Sequence, residues 1–306
     1  MMEHLPNKRL TSGGDPIPTI GVRQGRAPNQ RGGVPPTALV LAGIVSVQVG
    51  AALAKQLFAS AGAAGVVSMR LVFAGIVLLT FWRSGLRIGW RAVPVALAYG
   101  AVLAVMNLSF YEAIDRIPLG MAVTIEFLGP LAVALAGSRR WIDPVWAVLA
   151  GAGVLLLTQA GGNVEWLGVL LALGAGVCWA GYILLSASLG ERTSGGGGLA
   201  IAMAFGGVLI APYGIIEAGS SLLRPSVLVT GFLVAMLSSV LPYSVELEAL
   251  RRMPPRVFGV LMSLEPAVAA LAGLLLLGQF MNIPQWLGVI CVVAASAGAT
   301  RTADKD

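Results

Sequence analysis

Long apolar runs separated by short polar breaks make up the chain from residue 37 onward. Ten runs are long enough to cross a bilayer as helices, because about 20 apolar residues span its hydrocarbon core. The predicted boundaries are 37–58, 64–82, 93–113, 119–137, 143–160, 166–189, 199–219, 226–250, 257–277 and 284–300. The breaks carry Gly, Pro and charged residues, as in "GERTSGGGG" and "RRMPPR". The pattern predicts an all-α membrane protein with ten transmembrane helices.

Composition agrees with this class. The chain is 57% hydrophobic and only 11% charged, whereas a soluble domain carries about a quarter charged residues. The net charge of +6 therefore needs no nucleic-acid partner. Cys178 and Cys291 each lie inside an apolar run and are interpreted as packing residues. Neither metal-ligand spacing nor a G-x-x-x-x-G-K-[ST] motif occurs, so no metal and no cofactor is predicted.

The two ends of the chain are polar, and basic residues indicate its orientation. Residues 1–36 are rich in Gly, Pro and Arg and are predicted to be a disordered tail, and 301–306 form a short C-terminal tail. With the N-terminus inside, sixteen Lys and Arg residues fall on the cytoplasmic side. Two, Arg116 and Arg224, fall on the other side. This bias predicts that both termini are cytoplasmic.

The chain contains an internal repeat. A shift of 136 residues aligns 112–137 with 248–273, and 10 of the 26 aligned positions are identical. The repeats are 37–160 and 166–300, each with five predicted helices. Because five is odd, the second repeat enters the membrane upside down. Two inverted five-helix repeats are typical of secondary transporters; a duplicated gene in a membrane enzyme or scaffold is the alternative.

Five charged residues lie well inside apolar runs: Lys55, Arg70, Glu126, Glu246 and Glu265. Each costs roughly 2.5–3.5 kcal/mol at a helix centre, so each needs a compensating role. Carboxylates in a low-dielectric setting take up and release protons. Proton coupling is therefore predicted.

Two prolines mark breaks at the same repeat position. Pro130 cannot donate to the carbonyl of Glu126, and Pro266 cannot donate to that of Met262. Freed carbonyls inside a membrane must face protein or a water-filled cavity. The sequence therefore predicts a polar site near the midplane, with Glu126 and Glu265 beside the two breaks.

Other intramembrane polar residues complete the predicted substrate-binding or proton-coupling site: Gln48, Asn107 and Tyr243. Two members keep a second interpretation. Lys55 can extend to the outer interface, and Arg70 can neutralise a buried glutamate without touching substrate.

Three further features receive structural interpretations. Glu112 with Arg116, and Glu248 with Arg252, have the i,i+4 spacing of helical ion pairs. Gly174, Cys178 and Gly181 form a small-residue face on the sixth segment that suits close helix packing.

Several stretches resemble the EamA family of the drug/metabolite transporter superfamily. They include "SVQVGAALAKQLF" (46–58), "IPLGMAVTIEFLGPLAVALAGSRR" (117–140) and "LSSVLPYSVELEALRRMPPRVFGVLMSLEPAVAALAG" (237–273). The resemblance covers roughly 37–300. It implies a carrier in the bacterial inner membrane that exports small neutral amino acids, threonine and homoserine foremost, using the proton gradient. It does not imply an enzyme.

Three alternatives stay open at this point. One is an exporter of other metabolites or toxic compounds, and another is a passive facilitator without proton coupling. The third is a membrane-embedded enzyme or lipid translocase, which would need a catalytic or head-group cluster at the interface. A homodimer also stays open as the oligomeric state.

Overall fold

The computed structural model describes residues 34–86, 88–138, 140–159, 165–193 and 196–303. Residues 1–33 of the predicted N-terminal tail and residues 304–306 of the predicted C-terminal tail lie outside these ranges. The first helix begins at Pro36 and the last ends at Ala303. Residues 301–303 are therefore helical where a tail was predicted.

All regular secondary structure in the described residues is helical, and these residues contain no strand. Twelve α-helices follow one another in the described ranges: α1 Pro36–Phe81, α2 Val93–Arg116, α3 Leu119–Glu126, α4 Leu128–Ala136, α5 Asp143–Gln159, α6 Trp166–Gly190, α7 Gly197–Ala218, α8 Pro225–Ala235, α9 Leu241–Leu250, α10 Pro255–Met262, α11 Glu265–Leu277 and α12 Ile283–Ala303. A π-helical turn, Met236–Val240, joins α8 to α9. Short 3₁₀ turns follow α1 and α7, at Arg83–Gly85 and Gly219–Leu223.

Eight helical runs in the described residues are long and apolar enough to cross a membrane: Pro36–Phe81, Val93–Arg116, Leu119–Ala136, Trp166–Gly190, Gly197–Leu223, Pro225–Leu250, Pro255–Leu277 and Ile283–Arg301. Asp143–Thr158 is apolar but shorter. The first two predicted segments fall in one helical run of 46 residues, which is interrupted at Gly62, inside the predicted gap of 59–63. Residues 59–63 are all small, and helical geometry is lost only at Gly62.

Gly62 kinks α1 with a backbone conformation that only glycine adopts readily, φ 64° and ψ 170°. The break leaves main-chain N–H groups without helical acceptors. Glu217 of α7 supplies one, because its Oε2 accepts from the N–H of Ala64 at 2.7 Å and of Gly65 at 3.2 Å. A carboxylate 153 residues away thus caps the second half of α1.

Replacing Gly62 with alanine is expected to destabilise the protein by about 1–3 kcal/mol, because a Cβ strains this backbone and meets the Glu217 carboxylate. Thermal unfolding of the purified protein in detergent measures the change. Gly151→Ala is the matched control, since Gly151 lies in α5 with open space around a Cβ. Equal unfolding temperatures for the two variants would contradict the assigned strain.

The fourth predicted segment is broken beside Pro130. Helix α3 ends at Glu126, α4 begins at Leu128, and Phe127 lies between them. The Glu126 carbonyl, which Pro130 cannot bond, faces α6, where a Cβ at Gly176 would lie 2.7 Å from its oxygen. The freed carbonyl therefore packs against protein rather than lipid.

The ninth predicted segment is broken beside Pro266. Helix α10 ends at Met262 and α11 begins at Glu265, with Ser263 and Leu264 between them. Pro266 is the second residue of α11, a position where its missing N–H costs no helical bond. Glu265 lies in the first turn, where a carboxylate is favoured by the helix dipole.

Small residues let the helices approach closely at several points. Gly129 and Gly176 bring α4 against α6, and Gly120 packs on Ala270 between α3 and α11. Such contacts are typical of membrane helix interfaces. Within the small-residue face predicted on α6, a Cβ at Gly174 meets nothing within 4 Å and one at Gly181 comes only within 3.9 Å of Val102. The close approach is made by Gly176 instead.

Candidate functional site

A central cavity of about 430 Å³ lies where the two helix breaks meet the middle of α1. Seven of the eight polar residues predicted for the site line it: Gln48, Arg70, Asn107, Glu126, Tyr243, Glu246 and Glu265. Pro130 lines it as well, whereas Pro266 is not among the lining residues. Residues from both halves of the chain therefore share one site.

The cavity carries three carboxylates, of Glu126, Glu246 and Glu265, and one basic side chain, of Arg70. Glu126 is the last residue of α3, and Glu265 is the first of α11. None of the hydrogen bonds between described residues involves the side chain of Glu126. The site therefore offers both signs of charge in a largely apolar surrounding.

The Arg70 guanidinium is held by three neutral partners. Its Nε donates to Ser239 Oγ at 3.0 Å, its Nη1 to Tyr111 Oη at 3.1 Å and its Nη2 to the Ser238 carbonyl at 2.8 Å. Both serines belong to the π-helical turn, an irregularity that often occurs at functional sites. No ion pair in the described part of the chain involves Arg70. Its positive charge is thus fixed in place without being neutralised by a bonded carboxylate.

Gln48 of α1 and Glu265 of α11 are joined by a hydrogen bond in the site. Gln48 Nε2 donates to Glu265 Oε1 at 3.1 Å. The side chains are 1% and 7% exposed, respectively. Gln48 Oε1 and Glu265 Oε2 are both buried without a partner.

Aromatic side chains form another wall of the cavity. Phe127 and Trp179 pack edge to face with ring centroids 5.5 Å apart, and Tyr182 lies beside them on α6. Asn107 donates its Nδ2 to the Leu103 carbonyl at 2.7 Å, which leaves its Oδ1 as an acceptor. This wall can receive a short aliphatic side chain, with one hydrogen-bond acceptor nearby.

Sequence reasoning missed several lining residues, among them Tyr182 and Ser238. Tyr182 lies three residues after Trp179, so an aromatic pair on one face of the sixth segment was a signal for it. Ser238 acts through its main-chain carbonyl. No side-chain pattern can reveal that.

Lys55 does not line the central cavity. Its Nζ donates to the Ile114 carbonyl, and its side chain lines a second cavity of about 540 Å³. Glu112, Arg116 and Glu217 also line that second cavity. Lys55 therefore belongs to a different region from the one predicted for it, and we leave it out of the proposed substrate site.

Both predicted helical ion pairs are confirmed. Arg116 pairs with Glu112 at 2.5 Å and also reaches Glu165 at 3.3 Å. Arg252 pairs with Glu248. The four partners remain outside the central cavity, in agreement with the structural interpretation.

The central cavity extends toward one end of the bundle. Its lining includes Leu250, Phe258 and Thr300, which lie near the ends of α9, α10 and α12. Toward the other end, Gly120 packs directly on Ala270, and Gln279 Oε1 accepts from the N–H of Leu119 at 2.9 Å. The lining residues thus extend to one face of the bundle, while close contacts join the helices toward the other.

Comparison with known proteins supports a transporter. The EamA-like transporter family matches residues 166–301. Threonine/homoserine exporter RhtA of Escherichia coli (strain K12) is 43% identical over 277 residues, covering 89% of this chain and 93% of its own length. The protein of the same name in Salmonella typhimurium (strain SL1344) is 43% identical over 273 residues, covering 87% and 92%.

Two more distant proteins are also similar to this chain. An uncharacterized transporter of Bacillus subtilis (strain 168), YwfM, is 27% identical over 257 residues, covering 78% of this chain and 86% of its own length. One crystal structure of a protein 20% identical matches with a TM-score of 0.57, covering 88% of this chain and 99% of that chain. At this identity the match shows the fold alone.

Proposed function

Because the chain belongs to the EamA-like transporter family, we propose that it exports threonine and homoserine through the central cavity. The observation that carries the proposal is the presence of both charge signs in one cavity of about 430 Å³. Such a volume is typical of small-molecule sites. An amino acid zwitterion has a matching pair of charges and a side chain short enough for the aromatic wall.

We propose further that the helices form two inverted five-helix repeats. The break at Gly62 divides the 46 residues of α1 into two spans, and α5, although short, supplies a tenth. In two five-helix repeats, the second and third segments correspond to the seventh and eighth. A contact between the third and seventh segments should therefore have a counterpart between the eighth and second, and it does. Gly100 of the third segment packs on Ala202 of the seventh, and Gly231 of the eighth packs on Met69 of the second.

The proposed orientation puts both termini in the cytoplasm. The strong bias of basic residues supports it. In that orientation, the face lined by Leu250, Phe258 and Thr300 is cytoplasmic. The cavity is then accessible from the side where an exporter takes up its cargo, and the contact of Gly120 with Ala270 closes the opposite side.

Proton antiport is the proposed energy source. Three carboxylates face one guanidinium in the cavity, so the site has more acidic groups than a single zwitterion neutralises. A carboxylate that exchanges its proton as the cavity changes sides would couple the gradient to export. Alternating access about the two helix breaks provides the route.

Inside-out membrane vesicles containing the protein are expected to accumulate labelled threonine when their interior is acidic. Uptake into such vesicles corresponds to export from the cell, and protons leave as threonine enters. A protonophore should abolish the accumulation, and unlabelled homoserine should compete with the label. Scintillation counting of filtered vesicles measures both effects.

Vesicles from cells without the protein are the control. Absence of accumulation, with the protein detected in the membrane, would contradict threonine as cargo. Accumulation that a protonophore leaves unchanged would retain the cargo and contradict proton antiport. Competition by unrelated metabolites in place of homoserine would favour a broader exporter.

A further inference from the structure

Two residues that line the central cavity each carry a buried oxygen atom without a donor. Gln48 uses its amide nitrogen to bond Glu265 Oε1, so the Gln48 oxygen and the second Glu265 oxygen are left unpaired. A buried acceptor without a donor is unfavourable. Two of them on bonded neighbours indicate a place for a ligand with several N–H groups.

The equivalent position in the other half of the chain is already filled. The repeat aligns Glu265 with Gly129. Gly129 lies directly on Gly176 of α6, where a Cβ has no room. Glu265 instead meets Gln48 of α1 through a polar contact. The two equivalent positions of the proposed repeats therefore differ. Backbone packing fills the position of Gly129, whereas the position of Glu265 has acceptors without a donor.

Arg70 presents complementary free donors. A guanidinium has five N–H groups, and three of those of Arg70 bond Ser239, Tyr111 and the Ser238 carbonyl. Two remain without a partner in the described part of the chain, one on each terminal nitrogen. A carboxylate accepts two such parallel bonds from arginine.

We propose that Gln48 Oε1 and Glu265 Oε2 bind the ammonium group of the substrate and that Arg70 binds its carboxylate. This orientation rests on the proposed function, because it assumes an amino acid as cargo. It makes Gln48 a specificity residue for the amine. It also separates the roles of the glutamates, since Glu265 holds substrate and Glu126 stays available for a proton.

Two analogues of threonine test the two ends separately. 2,3-Dihydroxybutyrate carries a hydroxyl in place of the ammonium, and threoninamide lacks the carboxylate charge. Purified protein in lipid nanodiscs would be assayed for binding of labelled threonine and for displacement of the label by each analogue. The wild-type protein should prefer threonine to both.

Gln48→Met and Glu265→Gln are expected to weaken threonine binding by about tenfold, since each removes or neutralises an acceptor for a charged donor. They should also reduce the preference for threonine over 2,3-dihydroxybutyrate and leave the preference over threoninamide unchanged. Gln56→Met is the matched control, because Gln56 lies on the same helix, is exposed and bonds the Leu276 carbonyl. Its preferences should equal those of the wild type.

The outcomes separate this inference from the proposed function. If the wild-type protein binds threonine and the Gln48 and Glu265 variants keep their full preference over 2,3-dihydroxybutyrate, the ammonium assignment is wrong and the exporter proposal stands. If the wild-type protein does not bind threonine, the proposed cargo itself is wrong. Size-exclusion profiles matching the wild type establish that the variants are folded, and Gln48→Asn provides a second variant if Gln48→Met is not.

Discussion

Arg70→Gln protein should insert into the membrane and lose threonine transport, with a decrease of about a hundredfold or more, as expected when one partner of a buried charge-assisted contact is removed. Arg70 is the basic side chain of the central cavity and is only 8% exposed. Glutamine cannot supply the positive charge that we propose binds the substrate carboxylate. Initial rates of uptake into inside-out vesicles measure the decrease.

Arg70→Lys distinguishes geometry from charge. A lysine ammonium is a point charge on a flexible stem and cannot reproduce the planar donor set that bonds Ser239, Tyr111 and Ser238. We therefore expect Arg70→Lys to recover little of the lost rate. Recovery to wild-type rates would indicate that the guanidinium only balances the charge of the glutamates.

Arg83→Gln is the control for this series. Arg83 follows α1 in a 3₁₀ turn, is exposed and lies outside the cavity. Removing its charge should leave the transport rate unchanged. A comparable loss in Arg83→Gln would assign the effect of Arg70 to insertion rather than to the site.

Glu126→Gln protein is expected to exchange threonine across the membrane but to lose its accumulation against a gradient. Glu126 ends α3 at the helix break, lines the cavity and is 7% exposed. Glutamine resembles the protonated carboxyl in shape but cannot release a proton. Substrate exchange needs no net proton movement, whereas accumulation does.

Two assays on the same vesicles separate these activities. Uptake of label into vesicles preloaded with unlabelled threonine measures exchange, and uptake driven by an acidic interior measures coupling. Coupled uptake by Glu126→Gln should fall to the level of vesicles without the protein, while exchange persists. Glu248→Gln is the matched control, because Glu248 pairs with Arg252 outside the cavity. Proton-driven accumulation by Glu126→Gln at the wild-type level would contradict a proton-carrying role.

Polar residues inside apolar runs were the signal that identified the site from sequence. A membrane tolerates Glu126 or Arg70 only where protein or water compensates the charge, so their presence already indicated an internal cavity. Tyr182 gave a weaker signal, its spacing of three residues from Trp179, and the Ser238 carbonyl gave none, since a main-chain carbonyl has no sequence signature. Their roles depend on the helices that surround them.

Lys55 shows that helical spacing alone does not place two residues in the same site. It lies seven residues after Gln48, on the same face and about 10 Å further along α1. Gln48 reaches the central cavity, while Lys55 bonds the Ile114 carbonyl in a different one. Periodicity predicts which residues share one face of a helix. The neighbouring helices decide which of those residues reach a given cavity.

The sequence by itself determined the membrane class, the approximate helix positions and the two breaks at Pro130 and Pro266. Apolar length and the missing donor of proline act locally, so they can be inferred without knowing any distant contact. The tertiary structure alone decided how the break at Gly62 is stabilised, where the cap of the second half of α1 comes from Glu217 of α7. It also decided which acceptors and donors stay unpaired, because each pairing joins residues far apart in the chain, as with Gln48 and Glu265.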